Sequence, residues 1–158
     1  MIIICDSSPI VALAILDQLD LLDQLFKEVV IPQHVFDELA VKGKLEAARI
    51  TVWAQDKIKE AQDKHLMQSF NMILDAGESE AISLYWEKEA DFLLIDEKRG
   101  RKIALYNGIK VIGTLGILLL SKQKRLLASI KPLLDLLQQS NIRISDKLYK
   151  QALLLAGE

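Results

Sequence analysis

Apolar residues follow two rhythms along this chain. In short unbroken runs nearly every position is apolar: Ile2-Ile3-Ile4-Cys5, Val29–Ile31 and Phe92–Ile95, with Lys110–Ile112 as a shorter example. Each run predicts a β-strand. Between them apolar side chains recur at helical spacing, which predicts helices over Pro9–Leu16, Leu19–Phe26, Glu78–Lys88 and Glu97–Tyr106, and another starting at Gly113–Leu120. Pro32 suits a first helical position and opens a helix through about Val41. Asn107-Gly108 closes the Glu97–Tyr106 helix in the left-handed conformation that Asn and Gly tolerate. Ile50–Trp53 reads as a short strand, followed by a polar helix near Asp56–Gln68. The tail reads as two leucine-rich helices, Leu126–Gln138 and Ser145–Leu155. Strands alternating with helices imply an α/β protein with a central parallel sheet covered on both faces.

Composition narrows the class. The 158 residues, 51% of them hydrophobic, suit one domain with a substantial core. No linker or repeat divides residues 1–158, so a single domain is expected. No apolar stretch is long enough to span a bilayer. The start lacks a basic n-region and reaches Asp6 too soon for a signal peptide. The single cysteine, Cys5, excludes an intrachain disulfide and fits a reducing cytoplasm. Within an apolar strand it reads as a small buried hydrophobe.

A net charge of −2 conceals an asymmetry. Residues 1–97 hold 8 basic and 19 acidic residues, whereas residues 98–131 hold 9 basic residues and no acid. A basic segment beside an acidic site suits a polyanion. The plainer reading is a solvated face that compensates the acidic first half, and charge alone favours it.

The placement of the acids points to chemistry. Two apolar runs each deliver a carboxylate at the C-terminal end, Asp6 and Asp96. Ligands of open parallel sheets bind outside those ends. Converging carboxylates attract a hard divalent cation such as Mg²⁺ or Mn²⁺. Glu38 stands at the edge of its helix's apolar face and is a third candidate; an ordinary exposed acid is an equal reading. In Asp75-Ala76-Gly77-Glu78-Ser79-Glu80, Asp75 and Glu78 resemble a capping box. That gives Glu78 a structural task and leaves Glu80 for the site. Thr114 follows a strand, and its hydroxyl could bond a metal-bound water, an acidic ligand or a phosphate, or cap a helix. Lys98, Arg99, Arg101 and Lys102 follow Asp96 directly and could clamp a phosphate backbone; Arg99 could instead pair with a site acid. His34 and His65 lack zinc spacing and read as surface or capping residues.

With these residues assembled, the chain resembles the PIN-domain family, and within it a branch opening on Asp-Ser-Ser-Pro. The resemblance is carried by Asp6-Ser7-Ser8-Pro9, by Val30-Ile31-Pro32 with Val35 and Glu38-Leu39, and by Gly77-Glu78-Ser79-Glu80-Ala81-Ile82. It continues through Leu94-Ile95-Asp96-Glu97 with Gly100-Arg101, Gly113-Thr114-Leu115-Gly116 and Ala156-Gly157-Glu158. It implies a three-layer α/β/α sandwich and a Mg²⁺/Mn²⁺ site that cleaves RNA. It also implies a small antitoxin protein encoded alongside. Asp6, Glu38, Glu80 and Asp96 would hold the metal, and Thr114 would assist. A homodimer is a further option, since the leucine-rich tail leaves room for an interface. The third acid is Glu where the wider family favours Asp, and position 97 is Glu where the branch often has Asp. A binding module of the same fold with little catalysis is the alternative. A phosphatase using Asp6 as nucleophile fits less well, because Ser8 stands where a second acid is wanted.

Overall fold

The computed structural model describes residues 1–41 and 45–158. Five strands form one all-parallel sheet: β1 (Ile2–Cys5), β2 (Glu28–Pro32), β3 (Ile58–Lys59), β4 (Phe92–Leu94) and β5 (Val111–Ile112), in the order β3-β2-β1-β4-β5. Ten helices among the described residues surround it. They are α1 (Ser7–Ile15), α2 (Asp20–Leu25), α3 (Gln33–Val41), α4 (Leu45–Ala54), α5 (Lys64–Asn71), α6 (Ala76–Glu87), α7 (Lys98–Tyr106), α8 (Thr114–Gln123), α9 (Lys131–Gln139) and α10 (Asp146–Ala156).

Strand alternation divides the core into two clusters. Ile3, Cys5, Ile31 and Leu94 point to one face, where Leu13 of α1, Leu22 of α2, Ile117 of α8 and Leu134 of α9 cover them. Ile4, Val30 and Leu93 point to the other, against Met67 of α5, Ile82 of α6 and Ala104 of α7. A strand apolar at every position is stable only when helices bury both faces. The expected three-layer α/β/α sandwich is therefore the observed one.

Several local expectations are corrected. Ile50–Trp53 lies within helix α4. Ile50 and Ala54, four apart, are its buried positions, while Val52 between them is 70% exposed. The segment expected to be a polar helix from Asp56 holds β3 instead, because Ile58 pairs beside Ile31. Its helical part begins only at Lys64, capped by the Asp63 carboxyl, which accepts from Leu66 N at 2.9 Å. Pro32 closes β2 rather than opening α3. At the end of α7 only Gly108 is left-handed, with φ +75°.

The closing Ala156-Gly157-Glu158 has a structural explanation. Gly157, at φ +72°, ends α10 and turns the chain back. The Glu158 carboxyl then caps α9, accepting from Ile130 N at 2.8 Å and from Ser129 Oγ, and it pairs with Lys122 at 2.9 Å. Those donors, the Ile130 amide first, hold it down to about 2. No helix among the described residues is long and apolar enough to cross a membrane.

Candidate active site

Strand order reverses at β1: β2 and β3 lie on one side, β4 and β5 on the other. The crevice outside the carboxyl ends of β1 and β4 is thus the switch point at which open parallel sheets bind ligands. Asp6 and Asp96 both fall there. Cys5 stands opposite Leu94, and Asp6 N donates to Leu94 O at 2.9 Å, so the two strand ends are level.

Asp6 is only 5% exposed. Burial pushes its carboxyl up to about 7; the Ser7 amide opposes this, while the Glu78, Asp75 and Glu38 carboxylates add to it. It stands at the N-cap of α1, yet its side chain makes no cap bond. Asp96 is exposed and held in place. Thr114 N donates to Oδ1 at 2.8 Å, and Thr114 Oγ1 donates to Oδ2 at 2.5 Å. Two donors from one residue fix the plane of the carboxyl, and they also satisfy the start of α8. The approach depends on Gly113, where a Cβ would come within 2.7 Å of Asp96 Oδ1. Of the uses expected for Thr114, bonding an acid is seen directly. The N-cap position itself is Gly113.

Glu38 lies exposed on α3, and Ser7 Oγ donates to it at 3.4 Å. Glu78 has two tasks at once. It completes the capping box with Asp75, with bonds of 2.8 and 3.2 Å. Its Oε1 also faces α7, close enough that a Cβ on Gly100 would sit 2.8 Å away. Burial raises its carboxyl; the Asp75 amide opposes that, Asp75 and Glu97 reinforce it, and Arg99 lowers it. Asp75, Glu78, Glu97 and Arg99 line one open cleft.

Glu80 is not brought to this cleft. It has no exposed surface. Its Oε2 accepts from His34 N at 2.8 Å and lies 2.8 Å from His34 Nδ1, and its Oε1 accepts from Ala61 N at 3.1 Å. Glu80 therefore ties α6 to the start of α3 and to the chain after β3. The expectation that box formation frees Glu80 for the site is corrected. Two residues apart on a helix, Glu78 and Glu80 must diverge, and the inward one is Glu80. His34 acquires a structural role as its partner.

Of the four basic residues after Asp96, Lys98, Arg99 and Lys102 are exposed. Arg101 is half-buried and donates from Nη1 to Ile95 O at 2.8 Å. Glu97 caps α7, accepting from Arg99 N at 2.9 Å and from Gly100 N at 2.5 Å.

Among the described residues, no three His, Cys, Asp or Glu side chains stand close enough together to hold a metal ion by themselves. The donors at the crevice are all hard oxygens. The charges acting most on the buried Asp6 are carboxylates, with no cation among them. Mg²⁺ commonly takes one or two carboxylates and keeps its remaining waters. The chemistry of this donor set fits such an ion.

No curated protein matches the chain. A family model described as PIN domain matches residues 2–158. PIN domains are generally nucleases, typically using divalent metals. With nearly its whole length matched and its acids at the switch point of a parallel sheet, the chain belongs to the PIN-domain family, a family of nuclease-type modules.

Proposed function

We propose that this chain is a divalent-cation-dependent endoribonuclease of the cytoplasm, and the toxin half of a prokaryotic toxin–antitoxin pair. One observation carries the catalytic part: Asp6 is a carboxyl buried at the switch point, and the charges that act on it are the carboxylates of Glu78, Asp75 and Glu38. A buried anion without a compensating cation is costly, and a divalent ion relieves that cost. Asp6 and Asp96 would hold Mg²⁺ or Mn²⁺, with Glu38 and Glu78 as the further acids; Glu80 leaves the set. Such an ion supplies charge neutralisation to the phosphodiester under attack and eases loss of a proton from the attacking water.

The chain's own groups prepare the site. Thr114 fixes the Asp96 carboxyl, and Ser7 tethers Glu38 beside Asp6. The capping box fixes Glu78 in the lining of the cleft it shares with Asp75, Glu97 and Arg99. Lys98, Arg99 and Lys102 present exposed charge next to Asp96 for phosphate contacts, which position a strand without reading its sequence. The toxin role, with a small antitoxin as partner, rests on the resemblance carried by the sequence blocks.

A nucleic-acid-binding module with little catalysis is the second reading, and the lack of a preformed three-donor cluster among the described residues favours it. Incubating defined RNAs with purified protein, with Mn²⁺ or with chelator, decides between them. Cleavage that needs the ion and disappears in Asp6→Asn supports the nuclease. Binding without ion-dependent cleavage selects the module.

A further inference from the structure

A cavity of about 160 Å³ opens beside Asp96 on the α1 side of the sheet. Ala12 of α1, Leu115 of α8 and Leu148 of α10 line its apolar part. Asp96 and Thr114 supply polar lining, and Arg143, from the chain between α9 and α10, supplies a cation. The capping box, the sheet and the basic start of α7 make no use of this space.

Its size and polarity narrow the occupant. An enclosed apolar cavity of about 150 Å³ accepts one benzene ring, so a single six-membered ring matches the volume of this open pocket more closely than a fused purine does. The Asp96 oxygens each accept one bond from Thr114 and keep capacity for another. A carboxylate in the lining of a ring-sized cavity is matched by the exocyclic amino group of cytosine. The exposed Arg143 guanidinium suits the phosphate attached to that base, or its face. A leucine or phenylalanine from a protein partner would fill the apolar part but leave both charges unmet.

The geometry points to a base-binding subsite for one unpaired pyrimidine of the RNA substrate, cytosine by its amino group, next to the phosphodiester that is cut. This rests on the nuclease reading above, with Asp96 shared between base and reaction. It would give the enzyme a sequence preference that its phosphate contacts cannot.

The test is an NMR titration of methyl-labelled full-length protein with cytidine monophosphate, adenosine monophosphate and ribose phosphate, beside an RNA-cleavage assay. The subsite expects saturable shifts at Leu115 and Leu148 with cytidine monophosphate, at an affinity about tenfold or more above ribose phosphate. Leu148→Trp, at a half-exposed position, should abolish the shift at Leu115 while leaving the circular dichroism spectrum unchanged. Equal affinity for ribose phosphate, shifts confined to Lys98–Lys102, or entry of an apolar peptide but not of the nucleotide would each overturn it. RNA cleavage by a protein whose cavity ignores cytidine monophosphate refutes the subsite and spares the nuclease. Cavity shifts in a protein that cuts no RNA support the subsite and strike the nuclease reading alone.

Discussion

Glu80 and Asp6 are both buried acids beside one sheet, and their surroundings are opposite. Three groups meet the Glu80 carboxyl: two backbone amides and a histidine ring. The groups that press on Asp6 are the carboxylates Glu78, Asp75 and Glu38. A buried acid supplied with donors is a fastener between elements, and its removal leaves those donors stranded. A buried acid supplied with further acids opposes the fold that holds it, until a cation joins them. Degree of burial therefore does not separate these two carboxyls. The sign of the surrounding charge does.

Activity is the most severe test of that contrast. Asp6→Asn should lower RNA cleavage about a thousandfold, whereas Glu80→Gln, assayed on the fraction that remains folded, should keep it. Loss of cleavage in both variants alike would end the distinction.

The pH dependence of stability comes next. The folded chain holds the Asp6 proton to about 7, against 3.8 in the unfolded chain. Between those values the folded state binds more protons, so stability falls as pH rises from about 4 to about 7, then levels. The full difference is about 4 kcal/mol. It should appear in chelator as the gap between wild type and Asp6→Asn in denaturant titrations. Glu158 acts with the opposite sign: its carboxyl is lowered, so its contribution is lost as pH falls from 4.5 toward 2, and only the lowest edge of the Asp6 window overlaps it. A gap that does not change with pH would mean that Asp6 is not raised.

Stability also moves in opposite directions for the two acids. Glu80→Ala leaves the His34 and Ala61 amides unmet and should cost about 3 kcal/mol in thermal or denaturant unfolding. Asp6→Asn should melt at or above wild type in chelator. Mn²⁺ at a hundredfold excess over its dissociation constant should add about 2.7 kcal/mol to wild type and to Glu80→Ala, and much less to Asp6→Asn. An equal gain in Asp6→Asn removes Asp6 from the ligand set.

The mildest effect belongs to the rim. Charge reversal at Lys98, Arg99 and Lys102 should weaken RNA binding and flatten its salt dependence, by about 0.7 in log–log slope for each phosphate no longer neutralised. Arg101→Gln should instead act through stability, since that guanidinium is committed to Ile95 O. An unchanged slope in the triple variant would make the basic face a solvated one.

Much of this was legible in the chain. Ile2–Cys5 is apolar throughout, and so is the core of the Phe92 run. A strand of that kind must be buried on both sides, whatever surrounds it, so the parallel sheet and the acids at its ends follow from local pattern. The capping box at Asp75 and Glu78 is equally local, three residues apart, and it formed as expected. Ile50–Trp53 shows where the pattern gives out. Four residues with an apolar pair fit either a strand or a helical turn, and the spacing of Ile50 from Ala54 mattered only once α4 had a surface to lie on. Ile58 became a strand because Ile31 offered it an edge.

Glu78 and Glu80 mark the same boundary within the site. Helical geometry determined that the two acids must point apart. It could not determine which one met solvent, because that depends on the roll of α6 against the sheet, set by its packing over Ile4, Val30 and Leu93. By itself the sequence determined the strands β1, β2, β4 and β5, the acids that follow β1 and β4, and the order of the blocks, since each is fixed by neighbours in the chain. The tertiary structure alone decided that Glu80 is a fastener, that Glu78 faces the cleft, and that a ring-sized cavity lies beside Asp96. Each of those depends on residues far apart in the chain, brought together only when the layers close.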